Sequence, residues 1–252
     1  MNLEGIKLKP KKVKLDSKFW ASYFQVYDLL NLLIPYQELL NNICDELNIK
    51  PREKVLDAGS GTGNLATKIK SRGGNVIGID NSSAGITIHK RKDSDAKVVL
   101  CDLTQSLPFP NDSFDKIASN NVLYVIPREK QEQVMKEFYR ILKPSGKIVL
   151  ANMRAEWKPL SIYIDAVEKS IRLRGPVSTS ADLLRFVLPT VKMFYYSYII
   201  YQSGQRNETN PFTFNQQREL LFKSGFVRVS ETKEVYSKQG ILNSGYKPNS
   251  VN

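Results

Sequence analysis

Val55-Leu56-Asp57-Ala58-Gly59-Ser60-Gly61-Thr62-Gly63-Asn64 compresses a short apolar strand, a glycine loop and a helix start into ten residues. Three glycines at alternate positions let the backbone adopt positive φ and come against a ligand with no Cβ in the way. The spacing is GxGxG, not the GxGxxG of a dinucleotide fingerprint, and an aspartate closes the strand just before it. A carboxylate there repels a pyrophosphate and favours a cationic ligand or its ammonium group.

The same arrangement recurs downstream. Asn75–Asp80 (NVIGID) reads as a second strand ending in Asp80, 23 residues after Asp57, where an acid accepts hydrogen bonds from ribose hydroxyls. Lys97–Cys101 (KVVLC) reads as a third strand, followed by Asp102 and Leu103, an acceptor for an exocyclic adenine amine beside an apolar wall. A positively charged ligand with a ribose and an adenine is S-adenosylmethionine.

Between these strands the apolar spacing turns helical, at Leu65–Ser71 and Ala84–Lys92. Upstream, Leu39, Leu40, Ile43 and Leu47 mark a helix with Pro35 in its first turn. Downstream, Phe114–Ser119 is a fourth strand. A helix opened by Pro127 shares Val134, Met135, Phe138, Ile141 and Leu142 on one face, and Pro144-Ser145-Gly146 ends it before a fifth strand, Lys147–Ala151. This alternation predicts an α/β, doubly wound, mostly parallel sheet with ligands at the carboxyl ends of its strands. Residues 155–212 break the rhythm with a helical, aromatic-rich insertion. Gln216–Ser224 reads as a helix, and Val227–Tyr236 with Gly240–Tyr246 as a closing strand pair.

Together VLDAGSGTGN, VIGIDNS, CDLTQSLPFPNDSFDKIASNNVLYVIP and LKPSGKIVLANM resemble the class I S-adenosylmethionine-dependent methyltransferases. More narrowly they resemble the ubiquinone/menaquinone-biosynthesis-like branch, methyltransferase type 11. The resemblance spans about residues 20–154 and implies a seven-stranded Rossmann-like sheet with a lid after the fifth strand. It divides the chain into a basic arm (1–18), a cofactor-binding core (19–154), a helical substrate lid (155–212) and a closing helix and strand pair (213–252). It implies that Asp57, Gly59 and Gly61 line the methionine portion of the cofactor, Asp80 the ribose, and Asp102 with Leu103 the adenine. Asn120 and Val122 fall near the sulfonium, and Tyr23–Asn31 (YFQVYDLLN) places Tyr27, or else Tyr23, over the cofactor. Asn81 joins the same set, as does Ser60, which stands where many members carry cysteine. The lack of an NPPY sequence after the fourth strand argues against adenine or glutamine as acceptor, and the lack of a Pro-Cys pair against cytosine C5.

The expected activity is therefore methyl transfer to an O, N or C atom of a small acceptor, apolar or anionic. No catalytic base is assigned, and His89, the single histidine, reads as an exposed helix residue.

With 41% hydrophobic and 25% charged residues over 252 positions, the chain has the composition of a globular protein with a sizeable core. Two cysteines in unrelated contexts predict neither a disulfide framework nor a thiolate metal site, and no metal is expected. The net charge of +12 falls mostly outside residues 21–150, and the run Lys7, Lys9, Lys11, Lys12, Lys14 reads first as a solvated arm. Two rival readings remain: an RNA methyltransferase gripping phosphates with that arm, and a non-catalytic module of the same fold. No secretory signal is evident and the chain reads as cytoplasmic. Leu183–Tyr201, interrupted by Arg185, Pro189 and Lys192, is a candidate for peripheral membrane contact. Nothing in the sequence sets an oligomeric state.

Overall fold

The structure, a computed structural model, describes residues 14–205 and 209–249, without the side chains of 181–189 and 204–205. Lys7, Lys9, Lys11 and Lys12 lie outside the described residues.

Seven strands form one sheet: β1 (Lys54–Ala58), β2 (Asn75–Asp80), β3 (Lys97–Leu100), β4 (Phe114–Asn120), β5 (Leu142–Met153), β6 (Lys233–Val235) and β7 (Gly240–Tyr246). Their order is β3-β2-β1-β4-β5-β7-β6. The first five run parallel, while β7 pairs antiparallel with both β5 and β6. The chain winds outward from β1 through β2 to β3, then crosses back to place β4 on β1's other side. That reversal opens a crevice at the carboxyl ends of β1 and β4, the favoured ligand position of an open α/β sheet.

The helices are α1 (Ser17–Tyr27), α2 (Ile34–Leu47), α3 (Asn64–Ser71), α4 (Ser83–Lys92), α5 (Arg128–Ile141), α6 (Pro159–Arg174), α7 (Pro176–Gln205) and α8 (Gln216–Lys223). The helical spacing in α2 and α5 has the expected physical result. Leu39, Leu40, Ile43 and Leu47 of α2, and Val134, Met135, Phe138 and Ile141 of α5, are buried against the sheet. α6 and α7 follow the fifth strand and pack on each other, and α7 also reaches α1. No helix among the described residues is long and apolar enough to cross a membrane.

Two boundaries differ from the sequence reading. The chain passes from α5 directly into β5, because Leu142 already pairs with Phe114. Pro144-Ser145-Gly146 therefore lies inside the strand as an irregularity, with Ser145 at φ 61° and its N–H donating to the Lys247 carbonyl. The sixth strand is only three residues long, because Arg228 at φ 48° breaks the expected ladder after a lone bridge between Val227 and Tyr246. A buried polar network then fastens α8 to the sheet. Asn152 donates to Gln217 at 2.7 Å, and Gln217 donates to the Leu150 carbonyl and to Asn243 at 3.1 Å each.

Candidate functional site

The glycine loop after β1 is held by its own amides. Gly59 and Ser60 donate to the Ile79 carbonyl at 2.8 and 2.9 Å, Gly63 donates to the Ser60 carbonyl, and Gly61 donates to Asp80 Oδ2 at 2.8 Å. A phosphate cradle needs such N–H groups free, so this loop is closed to a pyrophosphate. Gly59 sits at φ 80°, and a Cβ there would stand 2.2 Å from Val122 Cγ2. That contact brings the loop against the segment following β4.

The three strand-end acids meet at one cavity of about 440 Å³. Asp57 is buried, and its Oδ2 has no hydrogen-bond partner. Burial first, then the nearby Asp80, pushes its carboxyl up to about 7, against a smaller lowering by the Ala66 backbone. Asp80 is also buried, and burial raises it; the N–H groups of Ser82, at 2.8 Å, and Gly61 pull the other way. Those two bonds occupy one site on each Asp80 oxygen, which leaves further lone pairs for a ligand. Asp102 is more exposed, with Oδ1 accepting from the Thr104 N–H and hydroxyl at 2.9 Å each. Across the crevice, Asn120 at the end of β4 keeps a buried Oδ1 without a partner.

Tyr27, Asp57, Gly59, Ser60, Gly61, Asp80, Asn81, Asp102, Leu103, Asn120 and Val122 all line this cavity. Its roof comes from α1, where Asp16 caps the helix by accepting from the N–H groups of Lys18 and Phe19 at 3.0 Å. Trp20, Tyr23, Phe24 and Tyr27 on that helix face the cavity, and Phe24 rests on the loop, 3.2 Å from where a Gly61 Cβ would be. After α1, Asp28 accepts from Thr62 Oγ1 at 2.6 Å and pairs with Lys92 at 3.1 Å. The roof is thereby tied to both the glycine loop and α4.

Residues 56–150 match the family model described as a methyltransferase domain. The ubiquinone/menaquinone biosynthesis C-methyltransferase of Vibrio vulnificus is 27% identical over 199 residues, 73% of this chain and 76% of the relative. An uncharacterized methyltransferase of Oceanobacillus iheyensis is 29% identical over 158 residues, 62% of this chain and 70% of that protein. Residues 56–150 thus carry a methyltransferase domain, and the chain is an S-adenosylmethionine-dependent methyltransferase. Its fold has a solved counterpart in the complex between the Haloferax volcanii Trm112 methyltransferase activator and a methyltransferase. The TM-score is 0.65 at 15% identity, covering 94% of this chain and all of that one.

In this methyltransferase His89 is buried, contrary to the sequence reading. Its ring occupies the space left by Gly63, where a Cβ would meet His89 Cδ2 at 2.1 Å, and it lies near Gly78 as well. Burial and then Lys92 lower its pKa, so it stays neutral behind the loop, with Nδ1 unpartnered. Gly85, Ile86 and His89 are the buried residues of α4, an i, i+1, i+4 stripe that was available in the sequence.

The sequence reading also missed much of the aromatic wall of the methyltransferase. Tyr36, Tyr124, Trp157, Tyr163 and Tyr236 line the cavity but arrive from four separate segments, so no local pattern groups them. The aromatics of residues 194–201 serve mainly as packing. Tyr196 stands 5.5 Å from Phe19 and 5.9 Å from Tyr23, and Tyr201 stands 5.8 Å from Trp157, ring centre to ring centre.

Proposed function

We propose that this methyltransferase modifies a small molecule enclosed between the strand ends and a lid formed by α1, α6 and α7. The single observation that carries the reading is Asp57. A buried carboxyl with an unpartnered oxygen beside a loop whose Gly59, Ser60, Gly61 and Gly63 amides are already bonded calls for a hydrogen-bond donor from a ligand, and a cationic donor favours its charged form. The ammonium of the cofactor's methionine portion meets that need. In this reading Asp80 holds the ribose, Asp102 and Leu103 the adenine, and Asn120 and Val122 the neighbourhood of the sulfonium. Tyr27 covers the cofactor, while Gly59, Ser60, Gly61 and Asn81 shape the floor.

When bound, the cofactor supplies an electrophilic methyl group on a positively charged sulfur. The protein's part is to hold the acceptor in line with that methyl and to keep water out, and positioning of this kind can supply most of the acceleration. Burial raises Tyr23, Tyr27, Tyr36, Tyr124, Tyr163 and Tyr236 above the ordinary phenol value, so at neutral pH these hydroxyls donate hydrogen bonds and remove no proton. The accepting O, N or C atom thus brings its own available electron pair. The Vibrio vulnificus relative, named as a C-methyltransferase of quinone biosynthesis, puts carbon among the first atoms to examine.

The test is incubation with S-adenosylmethionine labelled in the methyl group and a whole-cell extract, followed by separate counting of the solvent-extractable metabolites and the RNA. Label in the metabolites, reduced by Asp57→Asn, supports the reading. Label confined to RNA, or none above a boiled control, refutes it.

A further inference from the structure

The acceptor end of the cavity has a chemical character of its own. Tyr23 and Tyr124 come from α1 and from the 3-10 turn Leu123–Val125, Trp157 and Ile162 from the start of the lid, and Tyr236 from the turn after β6. All five are buried. Ionising Tyr23 is opposed first by burial and then by Tyr124, Tyr236, Tyr163 and Tyr36, which places these phenols around one common space. Within it the Tyr163 hydroxyl is buried with no hydrogen-bond partner, although Ser197 stands near. A buried hydroxyl left unpaired is unfavourable, so a ligand that pairs with it is selected. Among the described lining residues the ionisable groups other than tyrosine and cysteine are Asp57, Asp80 and Asp102, with no lysine, arginine or histidine. An anion entering the acceptor end would lose its water and find no cationic side chain among these residues to replace it.

On the reading given under Proposed function, we propose that the acceptor is an uncharged, largely apolar molecule oriented by one hydrogen bond to the Tyr163 hydroxyl, and that the chamber rejects anionic acceptors. Tyr163 is then a specificity-determining residue. It fixes which end of the acceptor faces the methyl.

Three probes that differ in one substituent test this: 2-naphthol, 2-naphthoate and naphthalene, titrated by ligand-observed NMR into protein saturated with S-adenosylhomocysteine. The expected result is 2-naphthol binding at least tenfold tighter than 2-naphthoate. Tyr163→Phe should weaken 2-naphthol by about five- to tenfold and leave naphthalene unchanged. Equal or tighter binding of 2-naphthoate overturns the proposal by showing a cation in the chamber. No binding of 2-naphthol at millimolar concentration overturns it too, as does an unchanged 2-naphthol affinity in Tyr163→Phe. Equal losses for 2-naphthol and naphthalene show a packing role and also overturn it. S-adenosylhomocysteine affinity measured on the same samples separates these outcomes from failure of the methyltransferase reading, which would appear as no binding of that product.

Discussion

Asp57 offers a pH-dependent test of how the cofactor is held. In the empty protein burial, reinforced by Asp80, pushes its carboxyl up to about 7, so near neutrality it is partly protonated. An ammonium group brought against it favours the charged form, so binding drives the proton off. The sign follows from linkage: affinity for S-adenosylhomocysteine rises with pH up to about 7 and levels off above it. With full ionisation in the complex, the change between pH 6 and pH 8 is about tenfold, or ~1.4 kcal/mol. Isothermal titration in two buffers of different ionisation enthalpy reads both the affinity and the proton, of which about half is released per ligand at pH 7. Asp57→Asn removes the pH dependence and the proton release, and at pH 8 weakens binding by about 10- to 100-fold through loss of a charge-assisted hydrogen bond. The cofactor-free protein shows the opposite trend. Because the folded pKa is raised, ionising Asp57 destabilises the fold, so Asp57→Asn gains stability relative to wild type at pH 8 and not at pH 4. A wild-type affinity flat from pH 6 to pH 8, with no proton exchanged, would refute the reasoning.

Gly59→Ala places a Cβ 2.2 Å from Val122 Cγ2 at φ 80° and should destabilise the fold by about 2–4 kcal/mol in urea denaturation. Adding Val122→Ala should recover part of that loss, and no recovery would mean that backbone strain alone is responsible. Glu46 accepts from Lys147, Lys233 and Ser244 at 2.6–2.8 Å. Burial alone would raise its carboxyl, but these bonds outweigh it and hold it at about 2. Its stabilising contribution is therefore complete above about pH 4.5 and is lost as pH falls toward 2. Acid denaturation of Glu46→Gln should show a shallower slope in that window, and an unchanged slope would remove the role. Asp28→Asn loosens the tie from the roof to Thr62 and Lys92, and stopped-flow measurement should show S-adenosylhomocysteine leaving several-fold faster. An unchanged rate would show that the roof is held by packing.

What could be read in advance was what is local in the chain. Asp57, Asp80 and Asp102 each follow a short apolar run, so their place at strand ends is fixed by a few neighbours, and parallel pairing brings the ends together. The aromatic wall of the cavity has no such signature. Tyr23, Tyr124, Tyr163 and Tyr236 lie more than 200 residues apart at the extremes, and each looks like an ordinary core aromatic until the fold brings them to one cavity. His89 was misread for a related reason. Its burial depends on the missing Cβ atoms of Gly63 and Gly78, which belong to two other elements. Residues 227–236 have strand-like composition, and composition does not signal the left-handed Arg228 that interrupts them.

The most direct measurement is a crystal structure grown with S-adenosylhomocysteine. It should show the ligand in the crevice between β1 and β4, its ammonium on Asp57, its ribose hydroxyls on Asp80 and its adenine between Asp102 and Leu103. Density for that product elsewhere, or a crevice in which Asp57 and Asp80 make no contact with it, would contradict the account.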